Sequence, residues 1–206
     1  LRARENKLKT PDKIEKYHRC LLGGKHERKQ EQIYSSSYRH LIAIATESFD
    51  VPIAMLTCLC GRESRFLSSA ENRESSARGI CQAMEGSLAD VDRWRTKNPT
   101  LQSLWQGYLT RLGDKIEDPR CKISTLNHDV LVRCPSLGLG VAAMYLRYVY
   151  SKVERVPDFT QLQWEQQSLQ SLVAVAGSYF AGAGFAERAL KKARGRNEWA
   201  HALLTE

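Results

Sequence analysis

Apolar residues along this chain recur mostly at helical spacing, and the strict alternation of a half-buried strand is scarce. Leu41, Ile42, Ile44 and Ala45 give one buried face to a helix expected over residues 37–48. Asp50-Val51-Pro52 then reads as a helix start, with Asp50 as N-cap and Pro52 in the first turn. The apolar run of residues 53–60 follows, a core helix whose end presents Glu63. Prolines near each start predict two more helices, over residues 99–112 and 135–153. Pro11-Asp12 opens another that runs through Leu22 and stops at Gly23-Gly24. A long helix is expected over residues 159–180, with a small, apolar second half. Gly182 and Gly184 end it, and a short amphipathic helix resumes over residues 185–193. Residues 68–79, rich in Ser, Glu, Arg and Asn, read as a loop, and residues 113–127 as a polar link.

The expected class is mainly α, a single domain over residues 37–206 preceded by a basic N-terminal arm and helix in residues 1–36. A short β-hairpin fits only in the loops of residues 68–81 or 121–134. A chain of 206 residues with 42% hydrophobic content can bury one substantial core. Its longest apolar stretches are too short for a membrane span.

The formal charge of +8 favours a polyanionic partner, which includes nucleic acid, an anionic membrane surface and anionic cell wall. The densest basic stretches, residues 2–29 and 191–196, lack the interleaved aromatics of RNA-binding segments, so no nucleic-acid partner is expected. Six cysteines, at 20, 58, 60, 81, 121 and 134, suit disulfides in an oxidising compartment. Cys58-Leu59-Cys60 has one intervening residue and no matching second pair or His cluster, which argues against structural zinc. Connectivity is open at this point. For an exported chain the favoured pair is Cys121 with Cys134, which bracket a short polar loop. Cys58 and Cys60, close together on one helix, should find different partners.

Glu63 ends an apolar helix and precedes a polar loop, and a carboxyl at the edge of an apolar core tends to be pushed up towards the range of a general acid. Around it stand Glu63-Ser64-Arg65-Phe66, then Ser76-Ala77-Arg78-Gly79-Ile80-Cys81-Gln82, then Met144-Tyr145-Leu146, then Tyr179-Phe180-Ala181-Gly182-Ala183-Gly184. In order and spacing these blocks resemble the soluble lytic transglycosylases and goose-type lysozymes. Those proteins carry Glu-Ser-x-Phe, Gly-Ala-x-Gly-Leu-Met-Gln, a Tyr-Leu pair on a buried helix, and Tyr-Asn-Ala-Gly-x-Gly.

The resemblance implies a lysozyme-like fold that needs no cofactor or metal. It implies cleavage of peptidoglycan glycan strands at the MurNAc-GlcNAc β-1,4 bond by a monomer in the periplasm or outside the cell. Glu63 would protonate the glycosidic oxygen and then act as base. Ser64 and Gln82 would hydrogen-bond sugar hydroxyls or acetamides, Tyr179 would lie near the acetamide of the cleaved sugar, and Gly79 would let the backbone turn or approach the glycan. Tyr145 and Leu146 read as core.

The departures are Arg73, Ser76, Cys81 and Phe180. Phe180, in place of Asn, offers a ring that stacks on a pyranose or fills core. Arg73 stands where transglycosylases usually place a Ser and goose-type lysozymes an Asp, and a guanidinium cannot serve as general base. Glu71, Glu74, Asp90 and Asp92 read as solvated charges. The expected route therefore uses one Glu with assistance from the substrate's own acetamide, and ends in an anhydro or a reducing sugar. Replacement of a hydroxyl and an amide by the fixed cation of Arg73 and the ring of Phe180 implies better tolerance of N-deacetylated glucosamine than an ordinary family member shows. The alternative reading is a peptidoglycan-binding or wall-scaffold module of the same fold without turnover.

Overall fold

The computed structural model describes Cys20, residues 36–73 and 75–113, Cys121 and residues 126–153. The chain divides into two compact units, one made of Leu1–Arg28 with Leu146–Glu206, the other of Lys29–Tyr145. The expected helices over residues 159–180 and 185–193 lie outside the described residues, as does that over residues 11–22 apart from Cys20, which is helical.

In the second unit a 3-10 turn, Ser36–Tyr38, leads into α1 (Arg39–Phe49). Leu41, Ala45 and Phe49 recur on its buried face at the four-residue spacing of a helix. Asp50 proves to end this helix and does not cap the next one. It sits in the left-handed region at φ 51°, and its N–H bonds back to Thr46 O. Asp tolerates that conformation better than most residues. α2 (Ile53–Ser64) instead begins at Pro52, whose fixed φ of −57° suits a helix start.

α4 (Pro99–Leu112) has the bounds its proline predicts. Asn98 is its N-cap, with Oδ1 accepting the N–H of Leu101 at 3.1 Å. Before it lies α3 (Glu85–Lys97), which the apolar pattern does not reveal. A short α5 (His128–Arg133), capped by Asn127 through Val130 N–H at 3.0 Å, is likewise unanticipated. α6 (Pro135–Val153) follows at once and also keeps its predicted bounds.

The residues from Ser136 through Leu146 on α6 are all buried, so this helix is enclosed around its whole circumference. Tyr145 and Leu146 are among them, as expected of core. Phe49, Trp105 and Tyr108 form an aromatic cluster between α1 and α4, with ring centroids 5.3–6.1 Å apart. Tyr108 donates its hydroxyl to Ser136 O at 2.5 Å. Its ring lies against Gly140, where any side chain would collide with it. Burial pushes the Tyr108 phenol far above its ordinary range, and a backbone hydrogen bond from Gly140 offsets only part of that.

The molecule is thus mainly helical. In the loop of residues 68–81 the allowed hairpin is reduced to isolated antiparallel bridges, Glu71 with Arg78 and Arg78 with Ala83, and no strand occurs among the described residues. No described helix is long and apolar enough to cross a membrane. All six cysteines are in disulfides. Cys121 bonds Cys134, the favoured pair, and Cys60 bonds Cys81, while Cys58 is bonded separately, as two neighbours on one helix require.

Candidate active site

The last turn of α2 carries Glu63 and Ser64, both half-buried. The helix stops because Arg65 turns left-handed at φ 54°, returning its N–H to Gly61 O at 3.0 Å. Phe66 follows at φ 62° and is buried, its ring stacked on Tyr38 with centroids 6.3 Å apart. A bulky residue in that region is a rare backbone state, costing roughly 1–2 kcal/mol. Gln82 is also left-handed, at φ 50°. Of the positive-φ residues other than glycine among those described, only Asp50 lies away from the segment between Glu63 and Gln82. Strain of this kind persists only where the surroundings overdetermine it, and it gathers at functional sites.

What overdetermines it here is a loop held on several sides. Residues 78–83 close on themselves through reciprocal Arg78 and Ala83 backbone bonds at 3.0 and 3.1 Å. Gly79, at φ 80°, donates its N–H to Ala70 O at 2.9 Å and passes so close to Leu131 of α5 that a Cβ would meet Leu131 O at 3.3 Å. The positive φ of Gly79 gives a sharp turn, and the close neighbour of its backbone is α5. Ile80 is fully buried against Gly138 of α6, where a Cβ would lie 2.8 Å from Ile80 Cγ2. His128 bonds Ala83 O through Nε2 at 3.1 Å, and since a carbonyl only accepts, Nε2 carries the proton.

The third element to hold it is α2. Ser64 Oγ donates to Ile80 O at 2.5 Å, and Cys60 is bonded to Cys81 with Cα atoms 4.2 Å apart. Chain geometry then keeps the Cα atoms of Glu63 and Gln82 within about 13 Å of each other. Gln82 is buried and spends both amide protons on the loop, at Ala70 O (2.9 Å) and Gly79 O (3.1 Å). Its remaining hydrogen-bonding capacity is the carbonyl oxygen Oε1, and that of Ser64 is its lone pairs.

The structure brings Glu63, Ser64, Gly79 and Gln82 into one neighbourhood. Arg73 is exposed on the outer part of the loop, and Tyr179 and Phe180 lie outside the described residues. Ser76, a departure from the family pattern, accepts the N–H of Glu85 at 3.3 Å and so serves the start of α3. Among the other carboxylates, Asp90 pairs with Arg93 on an exposed side of α3 and Asp92 with the mostly buried Arg95 on another, while Glu71 is exposed and 3.8 Å from Arg78. Glu74 lies outside the described residues. No group of three or more His, Cys, Asp or Glu among the described residues is placed to hold a metal ion.

Sequence reasoning missed His128 and the cavity it lines. That cavity, about 380 Å³, opens between Glu85 and Leu88 of α3 and Leu126, Asn127, His128 and Asp129. It adjoins the loop at Ala83, the residue after Gln82. An Asn three positions ahead of a Val in an apolar run was the available signal, as an N-cap for α5. Comparison with protein-family models, with curated proteins and with solved structures finds no match to this chain.

Proposed function

We propose that this chain cleaves the glycan strands of bacterial peptidoglycan at the MurNAc-GlcNAc β-1,4 bond, on a lysozyme-like domain, with Glu63 as general acid and then base. The observation that carries the reading is the joint between α2 and the loop: a helix ending in a half-buried glutamate, fastened to a strained loop ending in Gln82. A protonated Glu63 gives its proton to the glycosidic oxygen as the bond to the leaving sugar lengthens. The acetamide oxygen of MurNAc attacks its own anomeric carbon from the other face. Glu63, now a carboxylate, takes a proton from the incoming hydroxyl, either water or the sugar's own 6-hydroxyl.

This single-acid route agrees with Arg73 standing exposed where a goose-type lysozyme has an Asp, and with Asp90 and Asp92 being paired to arginines. Disulfides throughout the cysteine set favour a periplasmic or secreted protein, and the charge of +8 suits an anionic wall.

The test is mass spectrometry of wall fragments released by the wild type and by Glu63→Gln. The amide is nearly isosteric but cannot donate an acidic proton, so fragment release should fall by about 10²–10⁴-fold with the melting temperature unchanged. A Glu63→Gln variant that keeps the wild-type rate removes the proposal. Wild-type protein that sediments with walls but releases nothing favours the wall-binding module instead.

A further inference from the structure

Cys60 and Ser64 are four residues apart on α2, so their side chains share one face of the helix, a turn apart. That face is fastened to consecutive residues of the loop: Ser64 Oγ to the carbonyl of Ile80, and Cys60 to Cys81. Glu63 lies between the two attachment points on the helix, and Gln82 follows them on the loop. Two segments tied at two successive points cannot slide or rotate against each other while both ties hold. The hydrogen bond can open and close on its own, but the covalent bond cannot, so it keeps the hydrogen bond in register.

The loop's other attachments run elsewhere. Gly79 meets Leu131, Ile80 meets Gly138, and Ala83 takes its bond from His128. Loss of the disulfide therefore leaves the loop packed on α5 and α6 and loosens its joint to α2, where the hydrogen bond of Ser64 stays.

Resting on the reading of Glu63 and Gln82 as two walls of a glycan site, we propose that the Cys60–Cys81 disulfide is its positioning element, setting the separation between the acid and the loop. Cys60 and Cys81 touch no substrate; they act through Glu63 and Gln82. Catalysis of this kind is sensitive to misplacement by an ångström, which alone can cost about 10²-fold in rate.

The test compares Cys60→Ala/Cys81→Ala with Cys121→Ala/Cys134→Ala, which also loses a disulfide of the same unit. Rates on soluble glycan fragments are taken well below each variant's melting temperature, together with amide exchange of residues 79–83. The first variant should lose about 10²-fold in kcat with KM changed by less than about threefold, and residues 79–83 should exchange faster. The second should melt lower yet keep its kcat and its exchange in that loop. Equal kcat losses in the two variants, or none in the first, overturn the proposal. If the first variant does not fold, Ser64→Ala loosens the same joint by its weaker tie. It should lower kcat about fivefold and speed exchange of residues 79–83, at a cost of about 1 kcal/mol of stability, the scale of one hydrogen bond; unchanged exchange in that loop overturns the proposal by that route. Wild-type protein that releases no fragments removes the functional reading instead. Exchange in residues 79–83 then decides alone whether the disulfide holds the loop to α2.

Discussion

Gly140→Ala should destabilise the protein although alanine is the better helix former. The added Cβ would stand 3.0 Å from both Cδ1 and Cζ of Tyr108 and closer still to Cε1, where carbon atoms in contact rest at about 3.5–4.0 Å. The ring must retreat by about an ångström, and its surroundings resist. Phe49 and Trp105 flank it at centroid distances of 5.3 and 5.8 Å, and its hydroxyl is tied to Ser136 O on the same helix as the new methyl group. Overpacking of a filled core costs about 1–3 kcal/mol, and the gain in helix propensity offsets up to about 1 kcal/mol. A net loss of about 1–2 kcal/mol follows, or about 2–8 °C in melting temperature for a chain of this size. Gly107→Ala on α4 is the comparator, because nothing lies within 4 Å of its added Cβ. There the propensity term acts alone, and stability should rise by up to about 1 kcal/mol. Urea unfolding followed by circular dichroism measures both. A Gly140→Ala protein as stable as Gly107→Ala would refute the reasoning, because the close approach of Tyr108 would then not constrain α6.

Tyr108 should also shape the alkaline limit of stability. Its folded-state phenol is raised above the ordinary 10.0, so between that value and its folded pKa the unfolded chain holds fewer protons; stability is full below pH 10 and falls above it, by up to about 1.4 kcal/mol per pH unit. Urea titrations at pH 8–11 should show a shallower fall for Tyr108→Phe than for wild type, and parallel curves would contradict this. Gly79→Ala, forced into φ 80° with its Cβ 3.3 Å from Leu131 O, should lose about 1–2 kcal/mol of stability and slow wall cleavage, as unfolding curves and turbidity loss would show. With a ring at residue 180 and a fixed cation at residue 73 in place of an amide and a hydroxyl, walls whose glucosamine has been N-deacetylated should be cleaved at rates close to those of untreated walls; strong inhibition would count against it.

How much of the helical architecture could be read from the sequence depended on punctuation more than on apolar periodicity. Pro99 behind Asn98, and Pro135, mark starts that hold to the residue, because proline at a first helical position has a physical cause that tertiary packing rarely overrides. α3 escaped because it lacks such marks. Its N-cap is Met84, with no side-chain acceptor, and only Leu88, Val91 and Trp94 are buried among its 13 residues. α5, with six residues, is too short to show a period. Asp50 misled because the same residue type serves a helix start through its side chain and a helix end through its backbone, and only the fold decides which.

At the candidate site the residue types were legible and their constraints were not. Glu63, Ser64, Gly79 and Gln82 stand out as a motif, but Ser64 and Gln82 turn their hydrogen-bond donors inward, onto Ile80, Ala70 and Gly79. Arg65, Phe66 and Gln82 adopt a conformation that sequence normally assigns to glycine, so nothing in their identities announces it. That strain needs a source of compensation, and it lies in contacts distant along the chain: Leu131 under Gly79, Gly138 under Ile80, Cys60 on Cys81. The spacing of Cys60 and Ser64 by one helical turn held part of the answer, since two groups on one helix face must meet the same neighbour. Without the cysteine connectivity the neighbour could not be named. If the loop were merely a structural filler, relaxed residues would serve there as well, and glycine at residues 66 and 82 would be stabilising wherever the lost side-chain contacts allowed it. Phe66 and Gln82 are both buried, one stacked on Tyr38 and the other bonded to Ala70 and Gly79, so the contacts that a glycine would lose are what offset the costly backbone state.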